Sequence, residues 1–263
     1  ETIREKVEKH LTLTRILREI REAGYSGGRT VLSDYVRSIR SPLVPSRAAK
    51  RRFETRPAEE MQVDWSVYTV PIAAKPVRVH ALACVLAYSR KAHVRFYRDE
   101  RQSTLLEGLT LAFEEFQGLS LRVVFDNMAT VVLGRIGPGR KPLWHPRFLD
   151  FARYYGFEPF ACRVRHPDRK GKTERFLDYL EKDFVRGAEF SSFEDLNERV
   201  RLWTDQIANR RIHGTTRLVP DEVWQTERDF LIRLPDARFA VYQEEIRQVG
   251  TDATISVRGT LYT

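Results

Sequence analysis

The hydrophobic and polar positions of the chain follow two regimes. Between residues 11 and 24, Leu11, Leu13, Ile16, Leu17, Ile20 and Ala23 recur near helical spacing, and Gly24 supplies a stop signal. After the turn Tyr25-Ser26-Gly27-Gly28, a second helix is predicted from Thr30 to Ile39. Its core side is Val31, Leu32, Tyr35, Val36 and Ile39, and Ser33, Arg37 and Arg40 point outward. Two helices across a short glycine-containing turn, the second one basic, form the helix-turn-helix pattern; an ordinary αα-hairpin is the alternative. Residues 1–10 read as the end of an earlier helix. From 41 to 60 periodicity is lost, and Pro42, Pro45 and Pro57 lie among Arg47, Lys50, Arg51, Arg52 and Arg56. That is linker composition with a run of positive charge, suited to lying along phosphates.

From Met61 the period becomes two. The stretch Met61 to Val70 alternates apolar and polar residues and is rich in β-branched and aromatic side chains, so it predicts a strand. Val77 to Leu86 and His93 to Tyr97 are two more, separated by Tyr88-Ser89-Arg90-Lys91, and the three make a meander. An amphipathic helix follows from Gln102 to Phe116, then a strand from Leu119 to Phe125, a helix from Pro146 to Gly156 and a strand from Phe157 to Val164. Lys170 to Phe184 is a longer helix whose stripe is Thr173, Phe176, Leu177, Leu180 and Phe184. This order of elements is α/β with a mixed sheet. A further helix runs from Phe193 to Asn209, with Glu194 and Asp195 favouring its start, and strand character returns from Ala240 to Thr263.

Composition narrows the class. With 263 residues the chain has room for one large or two to three small domains. No apolar run approaches the roughly 18 residues of a membrane span, and the charged start carries no signal-peptide pattern, so a cytoplasmic protein is expected. Cys84 and Cys162 both sit in apolar runs without a CxxC pair, as buried thiols in a reducing compartment do. No His/Cys spacing suits zinc. The net charge of +9 points to a polyanionic partner, nucleic acid first, but composition alone does not separate a DNA enzyme from a ribosomal or membrane-surface protein.

Three carboxylates stand out against this pattern. Asp64 sits inside a strand, where aspartate is disfavoured and lost hydration must be recovered by a partner or a metal. Asp126 falls where the fourth strand ends, the place where ligands of open α/β sheets gather. A turn-forming Asp-Asn is its plainer explanation. Glu174 lies early in the helix from Lys170, beside the apolar stripe, with Asp178 one turn later as a rival. Two divalent cations about 3.5–4 Å apart need one bridging carboxylate and one flanking carboxylate each. Magnesium prefers such oxygen donors and keeps waters, so three protein carboxylates suffice when phosphate oxygens complete the shells. Around Glu174 the residues Arg163, Arg165, Arg169, Lys170, Lys172 and Arg175 are densely basic, suited to holding the phosphates of a reacting strand.

The segments Val63-Asp64-Trp65, Val124-Phe125-Asp126-Asn127 and His166-Pro167-Asp168-Arg169-Lys170-Gly171-Lys172-Thr173-Glu174-Arg175 resemble the three signatures of DDE transposases and retroviral integrases. The separation of Asp126 from Glu174 exceeds the integrase spacing and suggests an inserted loop around Gly134-Arg135-Ile136-Gly137-Pro138-Gly139. Asn209-Arg210-Arg211-Ile212-His213-Gly214 with Pro220-Asp221-Glu222-Val223-Trp224 is similar to the tail of bacterial insertion-sequence transposases, and the IstA type looks closest.

The resemblance implies a ribonuclease-H-like mixed sheet flanked by helices at 61–188. A helix-turn-helix at 1–41 and a basic linker at 42–60 would precede it. A helical extension at 189–235 and the start of a small β-barrel at 236–263 would follow. It implies Asp64, Asp126 and Glu174 as catalytic residues and ligands of two Mg²⁺ ions, with Mn²⁺ as a substitute. The pairing of carboxylates with ions stays open. Arg37, Arg40, Arg47, Lys50, Arg51, Arg52, Arg163, Arg165, His166, Arg169, Lys170, Lys172, Arg175, Arg210, Arg211 and His213 are the candidate DNA contacts, His213 being structural or DNA-contacting. Implied partners are double-stranded DNA, as transposon terminal repeats and target, a homo-oligomer of at least two subunits, and an AAA+ helper ATPase. The implied location is the bacterial nucleoid. Two rivals remain, a ribonuclease-H-like nuclease that cuts without joining and a non-catalytic DNA binder.

Overall fold

A computed structural model of the chain describes residues 2–39, 55–126, 128–137, 141–162, 171–241, 254–257 and 260–262. Three short helices come first, α1 (Ile3–Glu8), α2 (Leu13–Glu22) and α3 (Arg29–Ile39). Then β1 (Glu60–Ile72), β2 (Lys75–Leu86) and β3 (Ala92–Tyr97) form the expected antiparallel meander. After α4 (Gln102–Phe116), the strand β4 (Arg122–Phe125) returns parallel to β1. A hairpin of β5 (Val132–Ile136) and β6 (Lys141–Trp144) leads to α5 (Pro146–Tyr155), and β7 (Glu158–Ala161) then pairs parallel to β4. The sheet order is β3-β2-β1-β4-β7, which leaves β1 at its centre. The chain continues through α6 (Gly171–Leu180), α7 (Phe193–Trp203) and α8 (Pro220–Glu227) to a strand pair, β8 (Ile255–Val257) and β9 (Thr260–Tyr262).

Alternation along the strands sorts the core into two layers. Met61, Val63, Leu82, Cys84 and Leu86 face α4 and α5, where Phe113, Phe116, Phe148 and Phe151 are fully buried. Val79, Ala81, Ala83 and Val85 face α6 and α7, where Leu180, Leu196 and Trp203 close the layer. Small alanines on this second face let α6 approach the sheet closely. The result is a mixed sheet with helices on both faces, as expected from the order of elements.

Several boundaries differ from expectation for identifiable reasons. The strand predicted from Leu119 begins at Arg122, because Leu119 instead exchanges both backbone hydrogen bonds with Ile232, at 3.1 and 2.8 Å. The expected inserted loop is in part the β5–β6 hairpin, which Gly134 and Gly137 concealed from a period count. The strand predicted to reach Val164 is described as Glu158–Ala161. Helix α6 widens into a π turn at Glu181–Val185, and α7 does so at Thr204–Ala208. On α3 only Leu32 and Val36 are buried; Val31 is 66% and Tyr35 46% exposed, so two residues assigned to the core face outward. Packed only against the short helices α1 and α2, α3 buries a narrow stripe rather than a wide one.

Two buried carboxylates stitch distant segments together. Asp183 accepts hydrogen bonds from Thr12 Oγ1 (2.9 Å), Arg18 Nη2 (3.1 Å) and Trp203 Nε1 (2.9 Å), which fastens α2 to the helical face of the sheet. Glu227, fully buried at the end of α8, accepts from the backbone N–H of Ala58 (3.1 Å) and of Ser89 (3.0 Å). Asn209 meets Ala92 through both its amide oxygen and its amide nitrogen, each at 2.9 Å. Replacing Asp183 with Ala strands an arginine and two neutral donors in a buried site, a loss expected at about 3–5 kcal/mol. Thr12→Val removes the hydroxyl's bond to the Asp183 carboxylate and the helix-capping bond it accepts from Arg15 N, and should lower stability by about 2 kcal/mol. Urea unfolding of both variants checks the ratio, and equal losses would show that Asp183 is not the fastening point.

Candidate active site

The site is built outward from β1. Gln62, Asp64 and Tyr68 point to the face that α6 covers, while Trp65 points to the opposite face and meets Tyr97 edge-on at 5.8 Å. Gln62 is 2% exposed, and its Oε1 accepts from Lys172 N (3.2 Å), Thr173 N (3.3 Å) and Thr173 Oγ1 (3.2 Å). This satisfies N–H groups at the start of α6 that have no partner within the helix. Further along, Tyr68 donates to Leu177 O at 3.3 Å. The first two turns of α6 are therefore pinned to β1 on either side of Asp64. Glu174 follows Thr173 directly and projects from the flank of the buried stripe, exposed.

Asp126 reaches the same end of the sheet by register. Gln62 on β1 pairs with Val124 on β4 in parallel, and Asp64 and Asp126 each lie two residues further on. The chain then turns, with Met128 N donating to Asp126 O at 2.8 Å. Asp64 and Asp126 line one open pocket together with Trp65, Glu100, Met128, Ala129 and Thr130. Asp64 is half-buried and its Oδ1 accepts from Trp65 N at 2.9 Å. Glu174 is not part of that lining. Among the described residues no group of three or more His, Cys, Asp or Glu stands close enough to hold a metal ion. The structure thus brings two of the three predicted carboxylates together and places the third on the adjoining helix.

Glu100 was not anticipated from the sequence. It follows β3 in a polar loop with no period to mark it, and His80 Nδ1 lies 2.8 Å from its carboxylate. The pocket's polar donors are carboxylate oxygens, the donor set that suits a hard cation such as Mg²⁺.

The basic residues divide into three groups. Arg37 stands exposed on α3, 3.5 Å from Asp34, and Arg210 is exposed with Asp221 at 4.0 Å. Lys172, Arg175, Arg211 and His213 meet in one cleft with Arg90, which the sequence reading had left in a turn. Arg40, Arg47, Lys50, Arg51, Arg52, Arg163, Arg165, His166, Arg169 and Lys170 lie outside the described residues, as does Asn127.

His213 organises its own loop, since its Nδ1 accepts from Thr215 N (3.2 Å) and Thr216 N (3.4 Å). Burial, followed by the charges of Arg211, Arg90 and Arg175, lowers its pKa from 6.5 to about 4. The folded state therefore resists protonating it. Stability should fall as pH drops from about 6.5 towards 4, level off below, and show no such dependence above neutrality. An NMR titration of the His213 ring should find its midpoint near 4; a midpoint near 6.5 would overturn this assignment.

The geometry is therefore one aspartate within the central strand, a second just past the end of the parallel strand beside it, and a glutamate on a helix pinned to the central strand. In sequence the chain is similar to transposases of bacterial insertion sequences. It is 39% identical over 242 residues to the protein assigned as transposase of IS5376 in Geobacillus stearothermophilus, a match covering 92% of this chain and 59% of the relative. It is 34% identical over 250 residues to the IS21 transposase of Pseudomonas aeruginosa, covering 94% and 63%. The chain thus spans about 60% of the length of these curated relatives. No family model matches it. Among solved structures, a chain of the simian T-cell lymphotropic virus intasome shares 16% identity at a TM-score of 0.49, covering 90% of this chain and 78% of that one. The HTLV-2 integrase catalytic core in complex with magnesium shares 14% at 0.48, covering 65% and 99%.

Proposed function

We propose that this chain is the end-binding and catalytic portion of a DNA transposase. The observation that carries the reading is the meeting of Asp64 and Asp126 in one pocket, within a segment homologous to insertion-sequence transposases. Asp64, Asp126 and Glu174 would hold two Mg²⁺ ions, or Mn²⁺ in their place. A divalent ion there lowers the pKa of a bound hydroxyl and offsets charge on the phosphate under attack. The protein's own groups supply position. Asp64 and Asp126 are fixed by strand register, and α6 carries Glu174 to the rim of the same sheet end. Attack by water on the phosphodiester at a transposon end frees a 3′-OH. That hydroxyl then attacks a target phosphodiester in line, a new P–O bond forms and the target's 3′-oxygen leaves.

The domain reading that accompanies this function has a helix-turn-helix at 1–41, a linker at 42–60, a ribonuclease-H-like core at 61–188, a helical extension at 189–235 and the start of a β-barrel at 236–263. The outward face of α3, with Val31, Tyr35 and Arg37 exposed, suits a helix laid against DNA. Terminal repeats and target are the DNA partners, and joining two ends calls for at least a dimer. An AAA+ helper ATPase fits the IstA type. None of the helices among the described residues is long and apolar enough to cross a membrane, and a nucleoid-associated location fits a DNA substrate.

The test is incubation with a labelled pre-cut end and a plasmid target, in Mg²⁺ or EDTA. Joined product should appear only with Mg²⁺, and Asp64→Asn or Glu174→Gln should lower joining by about 10³-fold or more while end binding persists. Cleavage without joining would favour a nuclease. Tight binding with joining untouched in Asp64→Asn would remove the carboxylate site from the mechanism.

A further inference from the structure

A second recess opens between α6, the β2–β3 turn and residues 208–213, distinct from the carboxylate pocket. Its polar lining among the described residues is Arg90, Lys172, Arg175, Arg211 and His213, with no carboxylate among them. Four cations drawn together around one space repel one another, and the arrangement is relieved when an anion enters. Two of them are already oriented. Lys172 Nζ donates to Thr55 Oγ1 at 3.1 Å, and Arg90 Nη1 donates to Ala87 O. The guanidinium carbon of Arg211 lies over the Tyr179 ring, 3.5 Å from its centroid, a cation–π contact that holds the group in place.

The Arg211 Nη1 atom is buried and has no hydrogen-bond partner among the described residues. The carboxylate whose charge reaches Arg211 is Asp183, but its oxygens already accept from Thr12, Arg18 and Trp203. A buried guanidinium donor without an acceptor is costly, and an oxyanion is the group that would complete it. His213 lines the same recess, where burial and then the charges of Arg211, Arg90 and Arg175 hold it neutral.

Among the described residues the polar lining offers donors to a ligand, with no Asn, Gln, Asp or Glu to read a base edge or a sugar hydroxyl. Such a surface recognises phosphate rather than sequence. Arg175 also follows Glu174 on α6, so the recess shares its helix with the proposed third carboxylate. We infer that this recess binds one backbone phosphate of the DNA strand engaged at the active site, with Arg211 Nη1 and Arg175 donating to its oxygens and Arg90 and Lys172 supplying charge. The inference rests on the DNA-joining reading and adds Arg90 to the residues that reading employs.

The test separates the two. Binding of a labelled duplex end is followed by fluorescence anisotropy in Ca²⁺ across a salt series, so no joining is required for a readout. Each phosphate neutralised contributes about 0.9 to the slope of log affinity against log salt. The Arg175→Gln/Arg211→Gln double variant should lose about 0.9, one phosphate's worth, and Arg211→Lys should recover only part of it. Arg175 is exposed, so Arg175→Gln alone keeps the test valid if the double variant unfolds. The His213 ring resonances should shift when duplex is added to the wild-type protein and stay fixed in the double variant. An unchanged slope would overturn the proposal, as would a slope lowered by two units. Inorganic phosphate shifting His213 as far as duplex does would also overturn it, by making the recess a free-anion site. Absence of joined product in Mg²⁺ would count against the transposase reading and leave these binding results standing.

Discussion

The amide of Gln62 is the contact on which the geometry of this protein turns. One buried carbonyl oxygen takes two backbone N–H groups and a hydroxyl from the start of α6 and so fixes that helix on the central strand. A helix otherwise held by apolar contacts alone can slide by fractions of a turn at little cost. A side-chain acceptor buried beneath its first residues cannot be satisfied at any other register, because every alternative leaves paired groups unpaired in a dry layer. Gln62 thereby converts the position of a helix into a position along a strand, two residues from Asp64.

Helix α6 then serves two surfaces of opposite sign. Glu174 stands exposed on its flank, one residue beyond the Thr173 that Gln62 holds, while Lys172 and Arg175 turn towards the recess with Arg90 and Arg211. The separation keeps carboxylates from being neutralised by neighbouring cations. Neither Lys172 nor Arg175 lines the carboxylate pocket, and no acid among the described residues lines the cationic recess. Nucleic acid presents both demands at once, a hard cation at the scissile phosphate and direct positive charge along the flanking backbone.

Much of this was legible in the sequence, and the failures are instructive. The three meander strands and α4 stand out because period two and period 3.6 are clean there, and the α4 boundaries Gln102 and Phe116 agree at both ends. Asp64 was visible because a charge inside an apolar strand demands a reason. Glu100 left no such trace, since a glutamate in a polar loop is the commonest of residues, and its membership of the pocket comes from β3 lying two strands away from β1 in the folded sheet. Val31 and Tyr35 were misassigned because an apolar residue at helical spacing looks the same whether it meets a core or a partner. The pairing of Leu119 with Ile232 shortened β4 through a contact 113 residues away, beyond the reach of any local pattern.

Glu227 has a consequence for what counts as a separable unit. Its carboxylate closes the backbone at Ala58, just before the central strand begins, and at Ser89, in the turn between β2 and β3. Trp224 Nε1 meets Phe116 O at 3.2 Å, and Asn209 caps Ala92 on both sides. The sheet that carries the carboxylates is therefore sealed by residues far downstream of its last strand. A fragment cut after residue 188 would keep every strand of that sheet and lose the groups that finish its edges. In a growing chain the same logic sets an order: the aspartates exist early, but the scaffold that holds them still is completed only when α8 has emerged.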